Sequence, residues 1–212
     1  MSWTARKHAR LAGLLTAGAV AAATALSAAP AHATTATTSL AEVLAADGNR
    51  LDHNWQDFDI VDKAVHAVLG AKPDSPVAVL ADGSTPLTAF LPTDRAFRRL
   101  ITDLTGDRAA TERGVLRIVT AAVSVDDLEA TLLYHVVPGA TITYRQARHA
   151  DGAELTSALG PVIRVSVGRA VLLRDRDFDA RNPRVLRGKA NLNEGNEQIA
   201  HGIGRVLRPI DM

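Results

Sequence analysis

The sequence has 212 residues, a formal net charge of +1, no cysteine and few aromatic side chains (4%). Without cysteine, thiolate metal sites, thiol nucleophiles and thiol redox chemistry are excluded, and an exported form must rely on packing and hydrogen bonds. The near-balanced charge argues against nucleic-acid binding, and the low aromatic content argues against stacking on single strands or sugars.

The first residues have the features of a signal peptide. Arg6, Lys7 and Arg10 form a basic start, and residues 11–26 form an uncharged run rich in Ala and Leu. Small residues on both sides of His32 match the pattern that a signal peptidase cleaves. These features predict export through the general secretory route.

The predicted organisation is a signal peptide over 1–33, a flexible leader over 34–38 and a single domain over 39–210. Removing the three Lys/Arg residues of the signal takes the net charge from +1 to about −2. We expect no integral membrane span in the mature chain, because no other run is long and apolar enough. The expected location is extracellular, either released or loosely associated with the cell wall.

Helical periodicity dominates the first half of the domain, with hydrophobic residues three and four positions apart. The first predicted elements are a helix over 40–46 capped by Ser39, a helix over 60–69 capped by Asp59 and a short strand over 77–80. A strand from Thr88 then leads into a helix that is capped by Thr93 and has Asp94 in its first turn. Two further helices are predicted over 112–123 and 125–134.

The stretch 132–139 marks the change from helices to strands. It reads as the end of a helix and the start of a strand, with Pro138-Gly139 as a turn and 140–143 as a return strand. Further candidate strands cover 154–159, 162–167, 170–174, 185–186, 190–193, 198–200 and 205–207. Helices in the first half and strands in the second predict one α+β domain.

The charged stretch over 175–196 begins with a pattern that partly resembles a calcium-binding loop. Carboxylates alternate from Asp175 to Asp179 as they do at the start of an EF-hand loop, but Ala180 stands at the glycine position and Leu186 at the glutamate position. Several arginines lie beside these carboxylates. The sequence therefore predicts a solvated, salt-bridged loop.

The sequence contains no recognisable catalytic or metal-binding motif. There is no His-Glu-x-x-His, no Gly-x-Ser-x-Gly and no glycine-rich phosphate loop after a strand. We predict that the protein is not an enzyme and that it has no catalytic residue, metal or cofactor.

Three stretches resemble the conserved boxes of the fasciclin domain family. TAFLPTDRAFRRL (88–100) is similar to the first box, LLYHVVPG (132–139) to the central Tyr-His segment, and HGIGRVLRP (201–209) to the closing box. Their order and spacing agree with the family. The positions that match, and that we expect to be structural or functional, are Thr88, Phe90, Pro92, Thr93, Asp94, Phe97, Tyr134, His135, Pro138, Gly139, His201, Val206 and Leu207.

Two positions depart from the family pattern. Asp94 stands where the first box commonly has Asn, and Gly204 stands where the closing box usually has Asp. Any hydrogen bonds that an aspartate makes at position 204 must be missing or replaced. The resemblance covers about 39–210.

The resemblance implies a compact β-wedge or β-sandwich with helices packed along it, and a secreted bacterial adhesion module without general catalytic activity. The implied partner is an extracellular or cell-surface protein or polysaccharide, with Tyr134 and His135 as its recognition element. The alternative for this pair is two buried rings that hydrogen-bond inside the fold. For the whole protein, the alternatives are a carrier of a small ligand, a secreted hydrolase or a purely structural wall protein.

Overall fold

The computed structural model describes residues 37–46, 48, 50–106 and 108–209. The predicted signal peptide over 1–33 lies outside these ranges, as does most of the predicted leader. Within the described ranges, no helix has both the length and the apolar character needed to cross a membrane.

Five of the six α-helices in the described residues precede His135, so helices do cluster in the first half. The α-helices are α1 (Leu40–Ala45), α2 (Asp59–Ala71), α3 (Asp94–Thr105), α4 (Glu112–Ala122), α5 (Val125–Tyr134) and α6 (Tyr144–Ala147). Two 3₁₀ helices cover Pro76–Ala81 and Arg187–Lys189.

Side-chain caps set several of these helix starts. Ser39 and Glu42 form a reciprocal capping box at α1, and the Thr111 and Ser124 side chains accept amide hydrogen bonds at α4 and α5. The predicted cap of α2 is displaced by one residue. Asp59 is the first helical residue, and it is buried.

The strands form two three-stranded sheets. They are β1 (Leu87–Pro92), β2 (Val136–Pro138), β3 (Glu154–Thr156), β4 (Val162–Val167), β5 (Val171–Arg174) and β6 (Gln198–Ile203). The first sheet has the order β2-β1-β6, in which β1 is antiparallel to β2 and parallel to β6. The second sheet has the order β3-β4-β5 and is antiparallel throughout.

Strand β1 separates two hydrophobic cores. All six of its residues are buried, and its side chains alternate between the two faces of the sheet. Leu87, Ala89 and Leu91 pack with the helices, whereas Phe90 packs with Ile163 and other residues of the second sheet. The order of layers is therefore helices, first sheet and second sheet, which is the α+β architecture predicted from the sequence.

The predicted strand over 77–80 is wrong, because this segment forms the 3₁₀ helix Pro76–Ala81. Pro76 stands at the start of the helix, where its fixed φ is compatible and a missing amide hydrogen costs nothing. The Ser75 side chain accepts a hydrogen bond from the amide of Val77 and so caps the turn. The apolar residues of the segment face the helical core without any strand partner.

The predicted return strand over 140–143 is also wrong, since the structure has an irregular segment there. The segment 190–193 makes only one isolated bridge, at Leu192, because Asn191 and Asn193 have left-handed φ values of 57° and 66°. The predicted strand over 185–186 is reduced to one isolated bridge, between Val185 and Ile203. The segment 205–207 forms no strand.

Candidate functional site

The Tyr134-His135 pair lies inside the protein. Helix α5 ends at Tyr134, and His135 caps it. The two side chains have exposed fractions of 0% and 4%. The Tyr134 hydroxyl donates to the carbonyl of Val162 at 3.4 Å, and burial raises the pKa of this hydroxyl to about 12. The tyrosine therefore connects α5 to the start of β4.

His135 links α5 to the closing box. Its Nδ1 lies 2.7 Å from the carbonyl of Thr131, and its Nε2 accepts the amide hydrogen of Leu207 at 2.9 Å. These partners require a neutral ring with the proton on Nδ1. Burial lowers the pKa of His135 to about 4, against the opposing effect of the Thr131 carbonyl. With both nitrogens occupied, the ring is not available as the general base of a hydrolase.

The predicted contact of Tyr134 and His135 with a partner stays a prediction. In this structure the two rings have the positions and bonds that the buried alternative describes. A partner would reach His135 only if the segment around Leu207 moved away from it.

Two other box residues hold the irregular segment that follows β2. The Thr88 hydroxyl donates to the carbonyl of Ala140 at 2.7 Å and accepts the amide hydrogen of Ile142 at 2.8 Å. His201 Nε2 lies 2.7 Å from the carbonyl of Ile142, and its Nδ1 accepts from the amide of Asn191 at 3.2 Å. Burial lowers the pKa of His201. Side chains thus satisfy the backbone groups that a return strand would have paired.

The remaining residues of the three boxes mostly lie at a helix start, in a turn or in the hydrophobic cores. Thr93 occupies the cap position of α3, as predicted, but its side chain makes no capping hydrogen bond. Pro138 and Gly139 form an exposed turn, in which Gly139 has φ 78°. Buried box residues that contribute to packing are Phe90, Pro92, Thr93, Phe97, Val206 and Leu207.

The space beside these box residues is too small for a carried ligand. The cavity lined by Thr88, Phe90 and His201 has a volume of about 30 Å³, whereas small-molecule sites usually occupy roughly 300–1,000 Å³. This observation argues against a carrier that encloses its ligand between the sheets.

Asp94 belongs to a group of carboxylates that the sequence does not reveal. The side chains of Asp57, Asp94 and Glu112 place one oxygen each within 4.8 Å of one another. We call these three residues the carboxylate cluster. Asp94 and Glu112 are 0% and 1% exposed. Burial, together with the neighbouring carboxylates of Asp57 and Glu112, raises the pKa of Asp94 to about 8.

Sequence reasoning also missed an open groove with a positive lining, of about 440 Å³. Arg169 comes from the turn between β4 and β5, and Arg184, Arg187 and Lys189 come from the segment before and within the second 3₁₀ helix. We call this feature the basic groove. Its other lining residues are Gln56, Tyr144, Ala170, Val185, Leu186 and Gly188.

The cations of the basic groove are not neutralised within the described chain. None of the four forms an ion pair with a described residue. Lys189 Nζ instead lies 5.7 Å from the centre of the Phe58 ring. The signal for this site was the stretch RVLRGK over 184–189, which contributes three positive charges in six residues.

The prediction of a solvated loop over 175–196 is wrong for Asp177. This side chain is 2% exposed and pairs with Arg208, which is also buried. Asp175 accepts the amide hydrogen of Arg208 at 2.9 Å. The alternating carboxylates thus anchor the loop to the closing box through an arginine.

The layered α+β fold, with box side chains that tie its sheets and loops together, defines the class of fasciclin-like modules. The sequence profile of the fasciclin domain matches residues 70–209, more than half of the chain, and the protein therefore belongs to the fasciclin domain family. This family of modules is associated with cell adhesion and is typically non-catalytic.

A comparison with curated proteins finds no match. Among solved structures, the chain is similar to a FAS1 domain pair from the insect cell adhesion molecule Fasciclin I, with a TM-score of 0.49 and 14% sequence identity. The similarity covers 74% of this chain and 49% of that one, so this chain spans about half the length of that structure.

Proposed function

We propose that the protein is a secreted adhesion module that binds an acidic polysaccharide of a cell surface or wall through the basic groove. The observation that carries the proposal is the set of four cations around one open groove, none of which forms an ion pair with a residue that the structure describes. The fasciclin family and the predicted signal peptide support an extracellular adhesive role.

The chemistry of the groove suits a chain of anionic sugars. Arg169, Arg184 and Arg187 can each make paired hydrogen bonds to a carboxylate or sulfate group. The groove is open, so a polymer can lie across it. The half-buried Tyr144 and Leu186 add a partly apolar wall against which a sugar ring can pack.

The charge of the whole protein does not explain such binding. The mature chain is expected to carry about −2 charges, since the predicted signal removes three positive residues. Attraction to a polyanion must therefore be local to the groove, and it should weaken as salt screens the charges.

The experiment measures binding of the purified protein to intact cells, to isolated wall material and to purified acidic and neutral polysaccharides. Arg184→Ala/Arg187→Ala should abolish most of the saturable binding to acidic material. Arg50→Ala/Arg117→Ala is the matched control, because it removes the same charge from exposed positions outside the groove. The control should bind as the wild type does.

Three results would count against the proposal. Equal losses in the two double variants would make binding a matter of total charge. Loss of cell binding after protease treatment of the cells would identify a protein partner instead. Binding only to small monomeric sugar acids would favour the carrier alternative.

A further inference from the structure

The carboxylate cluster joins three segments of the fold that are far apart in the sequence. Asp57 lies in the segment before α2, Asp94 is the first residue of α3, and Glu112 is the first residue of α4. The amide of Asp94 donates to the carbonyl of Asp57 at 3.1 Å, which fixes the first two segments against each other. The backbone therefore holds the three carboxylates in one place.

One oxygen of each deeply buried carboxylate is satisfied and the other is not. Asp94 Oδ1 accepts the amide hydrogen of Ile60 at 3.0 Å, and Glu112 Oε2 accepts that of His53 at 2.9 Å. Asp94 Oδ2 and Glu112 Oε1 are buried and accept no hydrogen bond from a donor group of the described residues, although the Asp57 carboxyl lies beside Asp94 and raises its pKa. These two oxygens belong to residues of the carboxylate cluster, each of which places one carboxylate oxygen within 4.8 Å of those of the other two.

Buried carboxylates require a positive partner, because their desolvation otherwise costs several kcal/mol. Neither Asp94 nor Glu112 forms an ion pair with a Lys, Arg or His in the part of the chain that the structure describes. The partner must then be a proton shared between the carboxylates or a cation from solution.

We propose that Asp57, Asp94 and Glu112 form a binding site for one hard divalent cation of the Ca²⁺, Mg²⁺ or Mn²⁺ type. The donor set contains only carboxylate oxygen, which these ions prefer, and it has neither the nitrogen nor the sulfur that favours Zn²⁺ or Cu²⁺. Two of the three side chains are already held by backbone hydrogen bonds, so little reorganisation is needed on binding. This site differs from the sequence-based expectation of no metal.

One residue of the cluster, Glu112, also borders an open pocket. Glu112 lines a pocket of about 190 Å³ together with His53 and Arg113. Three carboxylates alone are fewer than the six to eight oxygens that Ca²⁺ takes, so the proposal requires water ligands as well, and the Glu112 side of the cluster is where solvent comes nearest to it.

The site depends on a residue in which this chain departs from its family. Asp94 stands where the first box commonly has Asn, and an amide there would remove one negative charge and supply a hydrogen-bond donor. The proposal therefore concerns this chain and not the family as a whole. Asp94→Asn is also the obvious test, because it keeps the shape of the side chain.

The experiment titrates the purified, chelator-treated protein with Ca²⁺, Mg²⁺ and Mn²⁺ by calorimetry, and with Tb³⁺ by luminescence sensitised through Trp55. At least one of the three ions should bind with a stoichiometry of one and raise Tm. Asp94→Asn and Glu112→Gln should each weaken binding roughly tenfold or more, because each replaces an anionic ligand by a neutral one, and the loss of a group that merely supports a ligand already costs about that much. Asp94→Asn should fold with a metal-free Tm at or above that of the wild type, because it removes repulsion.

Asp52→Asn is the matched control. Asp52, Asp57 and Asp59 form a second group of carboxylates that shares only Asp57 with the cluster. Asp52→Asn should keep the affinity of the wild type. The proposal is overturned if no ion binds, if Asp94→Asn binds as the wild type does, or if Asp52→Asn alone abolishes binding. The first of these results would assign a shared proton to the cluster, and the third would place the ion in the second group.

Discussion

Neutral His135 makes the stability of the protein depend on pH. Burial holds the pKa of His135 at about 4 in the folded protein, whereas an unfolded histidine has a pKa near 6.5. The unfolded chain therefore takes up a proton that the folded protein refuses, and acid favours unfolding. The contribution of His135 is fully present above pH 6.5 and is lost as the pH falls to about 4.

The size of this effect follows from the difference between the two pKa values. One pH unit corresponds to about 1.4 kcal/mol for one proton, so the window from 6.5 to 4 corresponds to about 3 kcal/mol of unfolding free energy. Protonation of Nε2 also removes the acceptor for the Leu207 amide. The loss should therefore begin with release of the closing box from α5.

The assay is urea unfolding followed by Trp55 fluorescence, at a series of pH values between about 4 and 7.5. His135→Gln removes the titrating ring and should lower the unfolding free energy at pH 7 by about 1–3 kcal/mol, because hydrogen bonds of a buried group are lost. Between pH 6.5 and 4 its unfolding free energy should fall less steeply with pH than that of the wild type. The difference in slope should correspond to nearly one proton fewer taken up on unfolding.

Other acidic groups titrate in both proteins, so the difference between the two curves isolates His135. His149→Gln removes an exposed histidine and should leave the unfolding free energy at pH 7 unchanged. Parallel curves for the wild type and His135→Gln would refute the reasoning, since they would mean that the ring is not held neutral by the fold.

Three further substitutions test contacts of the box residues. Thr88→Val should cost about 1–3 kcal/mol and speed hydrogen exchange at the Ile142 amide, which loses its acceptor; unchanged exchange would show that this hydrogen bond is not formed. Asp177→Asn should cost roughly 3 kcal/mol in urea unfolding, because it removes the buried anionic partner of Arg208 and leaves only the longer, partly exposed contact with Asp103; a cost near zero would contradict that burial. Gly204→Asp should raise Tm, because it lowers the backbone entropy of the unfolded chain and so adds about 0.4–1 kcal/mol to the unfolding free energy. The new Cβ would lie 3.5 Å from the Arg99 guanidinium, without a clash. A lower Tm would contradict this.

The elements that the sequence predicted well are those with local signals. Helices α2 and α3 follow clear hydrophobic periodicity, and α5 starts after a side-chain cap. Strand β4 has the predicted bounds of 162–167, with alternating exposure over its first four residues. In each case the signal lies within the element, so its neighbours in space did not have to be known.

The features that were predicted wrongly or missed have a different origin: their structure depends on contacts with residues that are distant in the sequence. The segment 140–143 is irregular because Thr88 and His201 bind its backbone, and neither residue is a neighbour along the chain. The carboxylate cluster and the basic groove are likewise assembled from separate segments. Hydrophobic periodicity carries no information about such long-range polar contacts.

The resemblance identified which residues matter, but it did not establish their roles. For Tyr134 and His135 the sequence left two interpretations open, a recognition element and a pair of buried, hydrogen-bonded rings, and the structure places both side chains in the interior. At Gly204, where the closing box usually has Asp, the backbone is held on both sides: its amide donates to the Arg184 carbonyl, and its carbonyl accepts from the Arg99 guanidinium.

The parallel pairing of β1 with β6 also has a consequence for how the chain becomes folded. Leu87 pairs with Gln198, and the register continues to Pro92 and Ile203. The central strand of the first sheet therefore lacks one neighbour until almost the whole domain has been synthesised, and such distant closure slows folding. A ribosome or export channel that holds back the last segment would keep the domain incomplete, so an early stop after β5 should yield a chain prone to aggregation through the open edge of β1.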